Sequence, residues 1–386
     1  MRRTPELVAR MQGFGTTIFA EMSALATRTG AINLGQGFPD TDGPPEVLAA
    51  AQAAIAEGHN QYPPGRGIAE LRTAIAEHQR QWYGIELDPD TEVLVTAGAT
   101  EAIAASLLAL CEPGDEVIAL EPTYDSYAAS IALAGARLVP VRLHFPEHRV
   151  DLDAVRAAVT DRTRLLLLNS PHNPTGHVLG EDELRGLAAI AVEHDLLVVS
   201  DEVYEHLVFD EHRHIPIATL PGMAERTLTI SSGGKTFSTT GWKIGWLSGP
   251  AELVTAATTT KQFLTFVNGG PFQYGIAAGL ALPPERIHAL TVQLQAQRDL
   301  LVDGLSRLGL TLAPSEGTYF VTADVAALGA TDSYEFCRTL PERCGVVAIP
   351  SRVFHVDPTG VETLVRFAFC KRPEVVAEAV SRLQRW

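Results

Sequence analysis

The chain has 386 residues, of which 46% are hydrophobic and 20% are charged, and its formal net charge is −16 at pH 7. This length is too great for one small core, so more than one folded body is expected. The acidic balance argues against nucleic acids and anionic membrane surfaces as partners, because both are bound by concentrated Lys and Arg.

The cysteines Cys111, Cys337, Cys344 and Cys370 are scattered and form no CxxC pair. This pattern favours reduced thiols in a cytoplasmic protein over a disulfide framework. The first residues lack an apolar core of signal-peptide length, and no apolar run reaches about 18 residues. We therefore expect a cytoplasmic protein without a membrane segment.

Apolar, β-branched runs alternate with Ala- and Leu-rich stretches between about residues 91 and 250. Several runs are apolar throughout, as expected for strands buried on both faces of a parallel sheet. The helical stretches between them complete βαβ units. The sequence predicts an α/β fold with a mainly parallel, seven-stranded sheet, its strands within 92–97, 116–122, 137–143, 164–171, 196–204, 226–232 and 244–250.

A long amphipathic stretch over 285–309 predicts one helix closed by Gly309, with short strands and one terminal helix after it. We expect an N-terminal arm that belongs in part to the small domain (1–45), a large domain (46–280), and the connecting helix with a small α+β domain (281–386).

Lys235 lies in SSGGKTFSTTGWKIGW (231–246), directly after an apolar strand. A lysine that forms an imine with an aldehyde must be partly desolvated, so that its amine is neutral often enough to attack. Asp201 ends the strand in LLVVSDEVYEHL, where a cap or metal ligand is the usual interpretation. Paired with a downstream lysine, it fits the carboxylate that keeps a pyridine nitrogen protonated. Tyr204 would reach the phenolic oxygen of the same ring.

Gly98, Asn169, Asp201 and Lys235 all follow or end predicted strands, at the sheet edge where ligands bind. Gly98 precedes a helix start in TAGATEAI (96–103), where backbone amides can bind a phosphate. Ser232, Lys243 and Thr100 could add donors and charge. Tyr124 could stack on a ring, although a core aromatic is the plainer interpretation.

NSPHNPTG (169–176) is a turn pattern whose Asn169 and Asn173 could donate to a ring oxygen and to a carboxylate. Arg366 lies within the apolar strand of LVRFAFCKR. Its planar fork matches a carboxylate in bidentate fashion, and a structural ion pair is the alternative.

NPTG, SDEVYEHL, SSGGKTFSTTGWKIGW and the late arginine, at these spacings, resemble the class I aminotransferases of the aspartate aminotransferase fold. The resemblance covers essentially the whole chain. NLGQGFPDTDGPP, NQYPPG and NSPHNPTG are most similar to the kynurenine, glutamine and methionine aminotransferases and to actinobacterial N-succinyldiaminopimelate aminotransferases.

The resemblance implies pyridoxal 5'-phosphate as cofactor, an L-amino acid and a 2-oxo acid as substrates, and a homodimer with shared sites. Lys235 is implied as the Schiff-base lysine and proton carrier, and Asp201 as the partner of the pyridine nitrogen. The other implied cofactor-binding residues are Gly98, Ala99, Thr100, Tyr124, Asn173, Tyr204, Ser232 and Lys243, with Tyr62 reaching the neighbouring subunit's cofactor. The implied substrate-binding residues are Arg366, Asn169, Gly37 and Phe19.

The sequence departs from the aspartate aminotransferases at two places. Lys243 replaces their phosphate-binding arginine, and no arginine for a distal carboxylate is evident within 266–273. Aspartate is therefore not the expected amino donor.

A C–S β-lyase needs the same Lys235 and Asp201 and remains open. A P-loop ATPase would need glycine where Thr229 stands, and the lysine motif here follows the carboxylate motif, so that alternative is rejected. A cofactor-binding regulator would need a basic DNA-binding segment, which is not evident. His212 and His214 lie two residues apart in a polar loop, with His206 upstream. This spacing is interpreted as a solvated turn and not as a metal site, so no metal is expected.

Overall fold

The computed structural model describes residues 7–15 and 17–386, so the first six residues of the predicted arm lie outside the described residues. The helices are α1 (Ile18–Thr29), α2 (Pro45–Ala56), α3 (Ala69–Tyr83), α4 (Gly98–Leu110), α5 (Asp125–Leu133), α6 (Leu152–Ala158), α7 (Glu181–Glu193), α8 (Gly233–Thr236), α9 (Ala251–Lys261), α10 (Gly270–Leu280), α11 (Pro284–Ser306), α12 (Ser333–Cys344) and α13 (Pro373–Leu383). The strands are β1 (Ile32–Asn33), β2 (Val93–Thr96), β3 (Glu116–Glu121), β4 (Arg137–Arg142), β5 (Thr163–Asn169), β6 (Leu197–Asp201), β7 (Thr227–Ser232), β8 (Gly245–Ser248), β9 (Thr311–Leu312), β10 (Phe320–Asp324), β11 (Val346–Val347), β12 (Ile349–Pro350) and β13 (Leu364–Ala368).

The seven predicted strands of the main sheet are confirmed. They form one seven-stranded sheet in the order β2-β8-β7-β6-β5-β3-β4. The strands pair in parallel except β8, which is antiparallel to both β2 and β7. Because β8 runs in the opposite sense, its first residues lie at the edge where the parallel strands end.

Helices cover both faces of this sheet. Alternate residues of β5 point to opposite sides: Leu165 and Leu167 join one apolar cluster with α4 and α5. Leu166 and Leu168 join another with α6 and α7. Because helices cover both faces of the sheet, both sets of alternate residues in β5 are apolar, and the strand has no polar face.

A smaller antiparallel sheet, in the order β12-β13-β10-β9, follows the long helix α11. β1 from the N-terminal part of the chain pairs in parallel with β11, with Ile32 opposite Val346. Among the described residues, no helix combines the length and the apolar character needed to cross a membrane.

The prediction of only one helix after residue 310 is wrong, because α12 precedes the terminal helix α13. Pro341 inside α12 weakens the helical pattern in the sequence. The helix forms because the Asp332 side chain caps its first turn and because Phe336 and Leu340 are buried.

Candidate active site

A cavity of about 370 Å³ lies at the carboxyl edge of the main sheet. Fourteen of the fifteen predicted site residues line it; the exception is Tyr62. The lining residues are Phe19, Gly37, Gly98, Ala99, Thr100, Tyr124, Asn169, Asn173, Asp201, Tyr204, Ser232, Lys235, Lys243 and Arg366, together with residues that the sequence did not single out, among them Tyr127 and Phe320.

The register of β2, β8 and β7 builds one corner of the cavity. Gly245 lies opposite both Thr96 and Ser232. A Cβ on Gly245 would lie 2.6 Å from the carbonyl carbon of Gly98, so the start of β8 touches the start of α4. This close approach places the amino end of α4 beside Lys243, whose Nζ would lie 3.1 Å from a Cβ on Gly98.

The first backbone N–H groups of α4, which begins at Gly98 and continues through Ala99 and Thr100, have no partners within the helix. Their partial positive charge and the ammonium of Lys243 meet at one point, with Ser232 at the end of β7. This corner has the donors and the charge that a phosphate dianion requires.

Asp201 is buried at the end of β6, directly opposite Asn169 of β5. The Tyr127 hydroxyl donates to Asp201 Oδ2 over 2.6 Å, and the Val203 N–H donates to Oδ1 over 3.3 Å. Burial raises the pKa of the Asp201 carboxyl to about 6, against the opposing effect of the Tyr127 hydrogen bond. A buried carboxylate in this state is stabilised by any cation that enters the cavity.

Lys235 lies in the short helix α8 after β7, and burial lowers the pKa of its amine to about 8. Its Nζ lies 5.5 Å from the centre of the Tyr204 ring and donates to the Tyr319 hydroxyl over 2.7 Å. A substantial fraction of the amine is therefore neutral near pH 8, as nucleophilic attack and proton abstraction require.

Arg366 is 1% exposed on β13 of the smaller sheet. Its NH1 donates to Asn173 Oδ1 and its NH2 to the Gly35 carbonyl, both over 3.0 Å. Its Nε is buried and has no partner among the described residues. Both of these acceptors are neutral. The described residues therefore do not support the alternative that Arg366 forms a structural ion pair. The Phe320 ring centre lies 3.9 Å from Cζ, and burial lowers the pKa of the guanidinium to about 10.

The turn after β5 is fixed by the side chain of Asn169. Its Nδ2 donates to the Asp201 carbonyl over 2.7 Å, and its Oδ1 accepts from the Asn173 N–H over 2.8 Å. One N–H of Asn169 remains for a ligand. A Cβ at position 37 would lie 2.5 Å from the Phe320 ring, which is too close for any side chain. Only glycine therefore fits at this wall of the cavity.

Tyr62 lies on the surface with 82% of its area exposed and does not line this chain's cavity. Its ring makes an edge contact with Phe266, at 5.7 Å between centres. Phe263, 79% exposed, and Leu264, 46% exposed, lie in the same stretch of chain as Phe266.

The sequence reasoning missed Tyr127, Tyr319 and Phe320. Tyr127 follows Tyr124 by one helical turn in EPTYDSY, which is a weak signal that it faces the same way. Tyr319 immediately precedes β10 and Phe320 is its first residue, and both look like ordinary core aromatics in the sequence. Their position beside the cavity comes from the packing of the smaller sheet.

The interpretation of His212 and His214 as a solvated turn agrees with the exposed His212 side chain but is wrong for His214, whose side chain is buried. His206, upstream of that turn, is also buried. His214 Nε2 lies 2.8 Å from a Glu202 oxygen, and His206 Nε2 lies 2.7 Å from His78 Nε2. His78, His206 and Glu205 are a potential ligand set by proximity. The 2.7 Å separation fits a hydrogen bond, since two nitrogens on one tetrahedral zinc would be about 3.3 Å apart.

The model of the family described as aminotransferase class I and II matches residues 29–383. The chain is 55% identical to the probable N-succinyldiaminopimelate aminotransferase DapC of Mycobacterium tuberculosis over 388 residues, covering 97% of each chain. It is 41% identical to the methionine aminotransferase of Escherichia coli over 377 residues, covering 98% of this chain and 97% of the relative.

The solved structure of N-succinyldiaminopimelate aminotransferase from Mycobacterium tuberculosis superposes with a TM-score of 0.96 at 55% identity, covering 98% of this chain and 99% of that one. The chain therefore belongs to the class I and II aminotransferases. It is a pyridoxal-phosphate-dependent enzyme that moves an amino group between an amino acid and a 2-oxo acid. Because the relatives are named as aminotransferases, the β-lyase alternative is not favoured.

Proposed function

We propose that Lys235 carries the cofactor and that Asp201, Tyr204 and Arg366 act around it. The observation that carries this proposal is that one cavity collects a lysine with a lowered pKa, a buried carboxylate and a buried arginine. When bound, pyridoxal phosphate supplies an electron-withdrawing ring that stabilises negative charge at the amino acid's α-carbon.

The residues present fit that cofactor. The corner between α4 and Lys243, with Ser232, would hold the phosphate, and Asp201 would keep the ring nitrogen protonated. Tyr204 and Asn173 would donate to the ring oxygen, and Tyr124 would lie against the ring. Lys235 Nζ, when it is not joined to the cofactor, would take the proton from the substrate's α-carbon and hold it for its return.

Arg366 binds the α-carboxylate of the amino acid, with Asn169 and Gly37 beside it. Its unpartnered Nε supports this role, because a buried guanidinium N–H is costly until an acceptor arrives. Phe19 and Phe320 form an aromatic wall around the guanidinium, with centres 5.3 and 3.9 Å from its Cζ. They exclude water from the ion pair that the substrate completes.

We propose N-succinyldiaminopimelate as the amino donor, with methionine, glutamine and kynurenine as the competing donors. The 55% identity to DapC supports the first, and the 41% identity to the methionine enzyme supports the second. Among the described residues, the only cationic ones that line the cavity are Lys235, Lys243 and Arg366, and each is proposed to act at the cofactor or the α-carboxylate. A second carboxylate next to the α-carbon, as in aspartate, would find no charge partner among these described lining residues.

The experiment is a donor panel of those four compounds and aspartate, each mixed with purified enzyme while the cofactor's absorbance is followed without a 2-oxo acid. We expect the largest kcat/KM for N-succinyldiaminopimelate and the smallest for aspartate. A preference for aspartate would refute the specificity proposal. Pyruvate released from cysteine conjugates at a comparable rate would restore the β-lyase alternative.

We also propose a cytoplasmic homodimer in which Tyr62 reaches the neighbouring subunit's cofactor phosphate. The exposed apolar side chains of Tyr62, Phe263, Leu264 and Phe266 support a covered surface there. Mixing inactive Tyr62→Ala and Lys235→Ala chains should restore part of the activity, because one of the two shared sites in each mixed dimer would be intact. No recovery in verified mixed dimers would count against shared sites.

The division into an N-terminal arm (1–45), a large domain (46–280) and a small domain with its connecting helix (281–386) remains part of this proposal. The pairing of β1 with β11 supports placing the arm partly with the small domain. The cysteines Cys111, Cys337, Cys344 and Cys370 are free and buried, which supports a reducing compartment.

A further inference from the structure

The hydroxyl of Tyr319 joins the catalytic lysine to the main chain of the N-terminal segment. Lys235 Nζ donates to the Tyr319 oxygen over 2.7 Å. The same hydroxyl donates its own proton to the Gly37 carbonyl over 2.5 Å. Because that proton points at Gly37, the oxygen presents a lone pair to Lys235 and acts as an acceptor for the amine.

Tyr319 is held rigidly in this position. Its side chain is 1% exposed, and its ring packs edge-on against Tyr204 and Phe320, with centres 5.2 and 4.8 Å apart. A Cβ on Gly37 would lie 2.7 Å from the Tyr319 ring, so the glycine is what allows the hydroxyl to reach the carbonyl. Because the Tyr319 ring cannot move, its buried oxygen holds the Lys235 amine at one position.

Without this hydrogen bond the amine could occupy more than one position, because Lys235 lines two cavities. Besides the main cavity, a second one of about 120 Å³ lies behind the lysine and is lined by Lys235, Tyr319, Cys370 and Asp42 among others. A lysine side chain has four rotatable bonds, and the second cavity offers the amine space away from the reacting atoms. Among the described residues, the hydrogen-bond acceptor of Lys235 Nζ is the neutral Tyr319 oxygen.

We propose that Tyr319 is a positioning residue that holds the Lys235 amine at the main cavity whenever that amine is not joined to the cofactor. The proposal rests on the proposed role of Lys235. It gives Tyr319 no proton-transfer step of its own, since its hydroxyl proton stays with Gly37. Its effect is to keep one nitrogen available both for holding the cofactor and for moving the substrate's proton.

The test compares Tyr319→Phe, which keeps the ring, with Tyr334→Phe as the matched control. Tyr334 donates to a Glu21 oxygen over 2.7 Å, so the control also removes one bonded tyrosine hydroxyl. The full-length chain is freed of cofactor, and the rate at which it captures added pyridoxal phosphate is followed by absorbance from pH 6 to 10. Far-ultraviolet circular dichroism and melting temperature establish that each variant is folded.

Besides Tyr319, the titratable groups that face the amine are Asp201, Lys243, Tyr204, Arg366 and Cys370, and both variants retain them. A neutral acceptor stabilises an ammonium more than an amine, so its loss shifts the capture midpoint to lower pH, by about one unit. We expect kcat to fall roughly tenfold to a hundredfold. KM for the amino donor should change less than kcat, because Arg366 is untouched and only the Gly37 carbonyl, beside the α-carboxylate, loses a hydrogen-bond donor.

A wild-type midpoint together with a wild-type kcat in Tyr319→Phe would overturn the proposal. A loss of kcat without a shift in the capture midpoint would also overturn it, because disturbed packing alone would produce that result. A shift shared by Tyr334→Phe would also overturn it. Failure of the underlying function is distinguishable: Lys235→Ala would then still produce the wild-type absorbance change on adding the cofactor.

Discussion

The burial of Asp201 predicts that its carboxylate destabilises the cofactor-free protein. The pKa rises from 3.8 to about 6, and two units correspond to about 3 kcal/mol. Because the folded state binds the proton more tightly than the unfolded state, the contribution to stability is fully present below pH 3.8. It is lost as the pH rises through about 6.

Asp201→Asn removes this titration and keeps an acceptor for the Tyr127 hydroxyl. The assay is urea unfolding of both cofactor-free proteins between pH 4.5 and 8. The free energy of unfolding of the variant, relative to wild type, should rise by about 2 kcal/mol across that range. With pyridoxal phosphate bound the order should reverse at pH 8, because the protonated ring nitrogen then pairs with the carboxylate. A difference that stays constant with pH, or falls, would refute the reasoning.

Two further predictions concern other buried charges. Arg366→Lys loses the planar fork, so KM for amino donors should rise on the order of a hundredfold, measured by steady-state kinetics, while the bound cofactor's spectrum changes little. Burial disfavours charge on His177, but Glu183 and Glu316 outweigh it and raise the pKa of its imidazole to about 9. His177→Gln should therefore cost up to about 3 kcal/mol of unfolding free energy below pH 6.5. That cost should vanish as the pH rises through about 9, and a pH-independent cost in urea unfolding would contradict the assignment.

The main sheet and its functional edge were predictable because they depend on local patterns. Several strands are largely apolar runs, and Asp201 and Asn169 end two of them. Parallel pairing then brings such strand ends together whatever the loops do. Lys243 joins the same corner only because β8 is antiparallel, an orientation that the sequence pattern does not reveal.

The contacts that were not predictable join residues far apart in the chain. Tyr127 bonds Asp201 across 74 positions and Tyr319 bonds Gly37 across 282, and neither residue differs locally from a core aromatic. His206 is buried against His78 and Trp82 on α3, a contact between distant parts of the chain. Tyr62 does not line this chain's cavity, so the role proposed for it requires a second copy.

The most direct test of the central claim uses the fact that the chain has only four lysines, Lys235, Lys243, Lys261 and Lys371. The holoenzyme is reduced with borohydride, digested, and analysed by mass spectrometry to locate the cofactor-modified peptide. We expect the reduced cofactor to be attached to Lys235 alone, and to no lysine in Lys235→Ala. Modification of another lysine in the native enzyme, or an unmodified Lys235 in a protein that retains its cofactor, would contradict it.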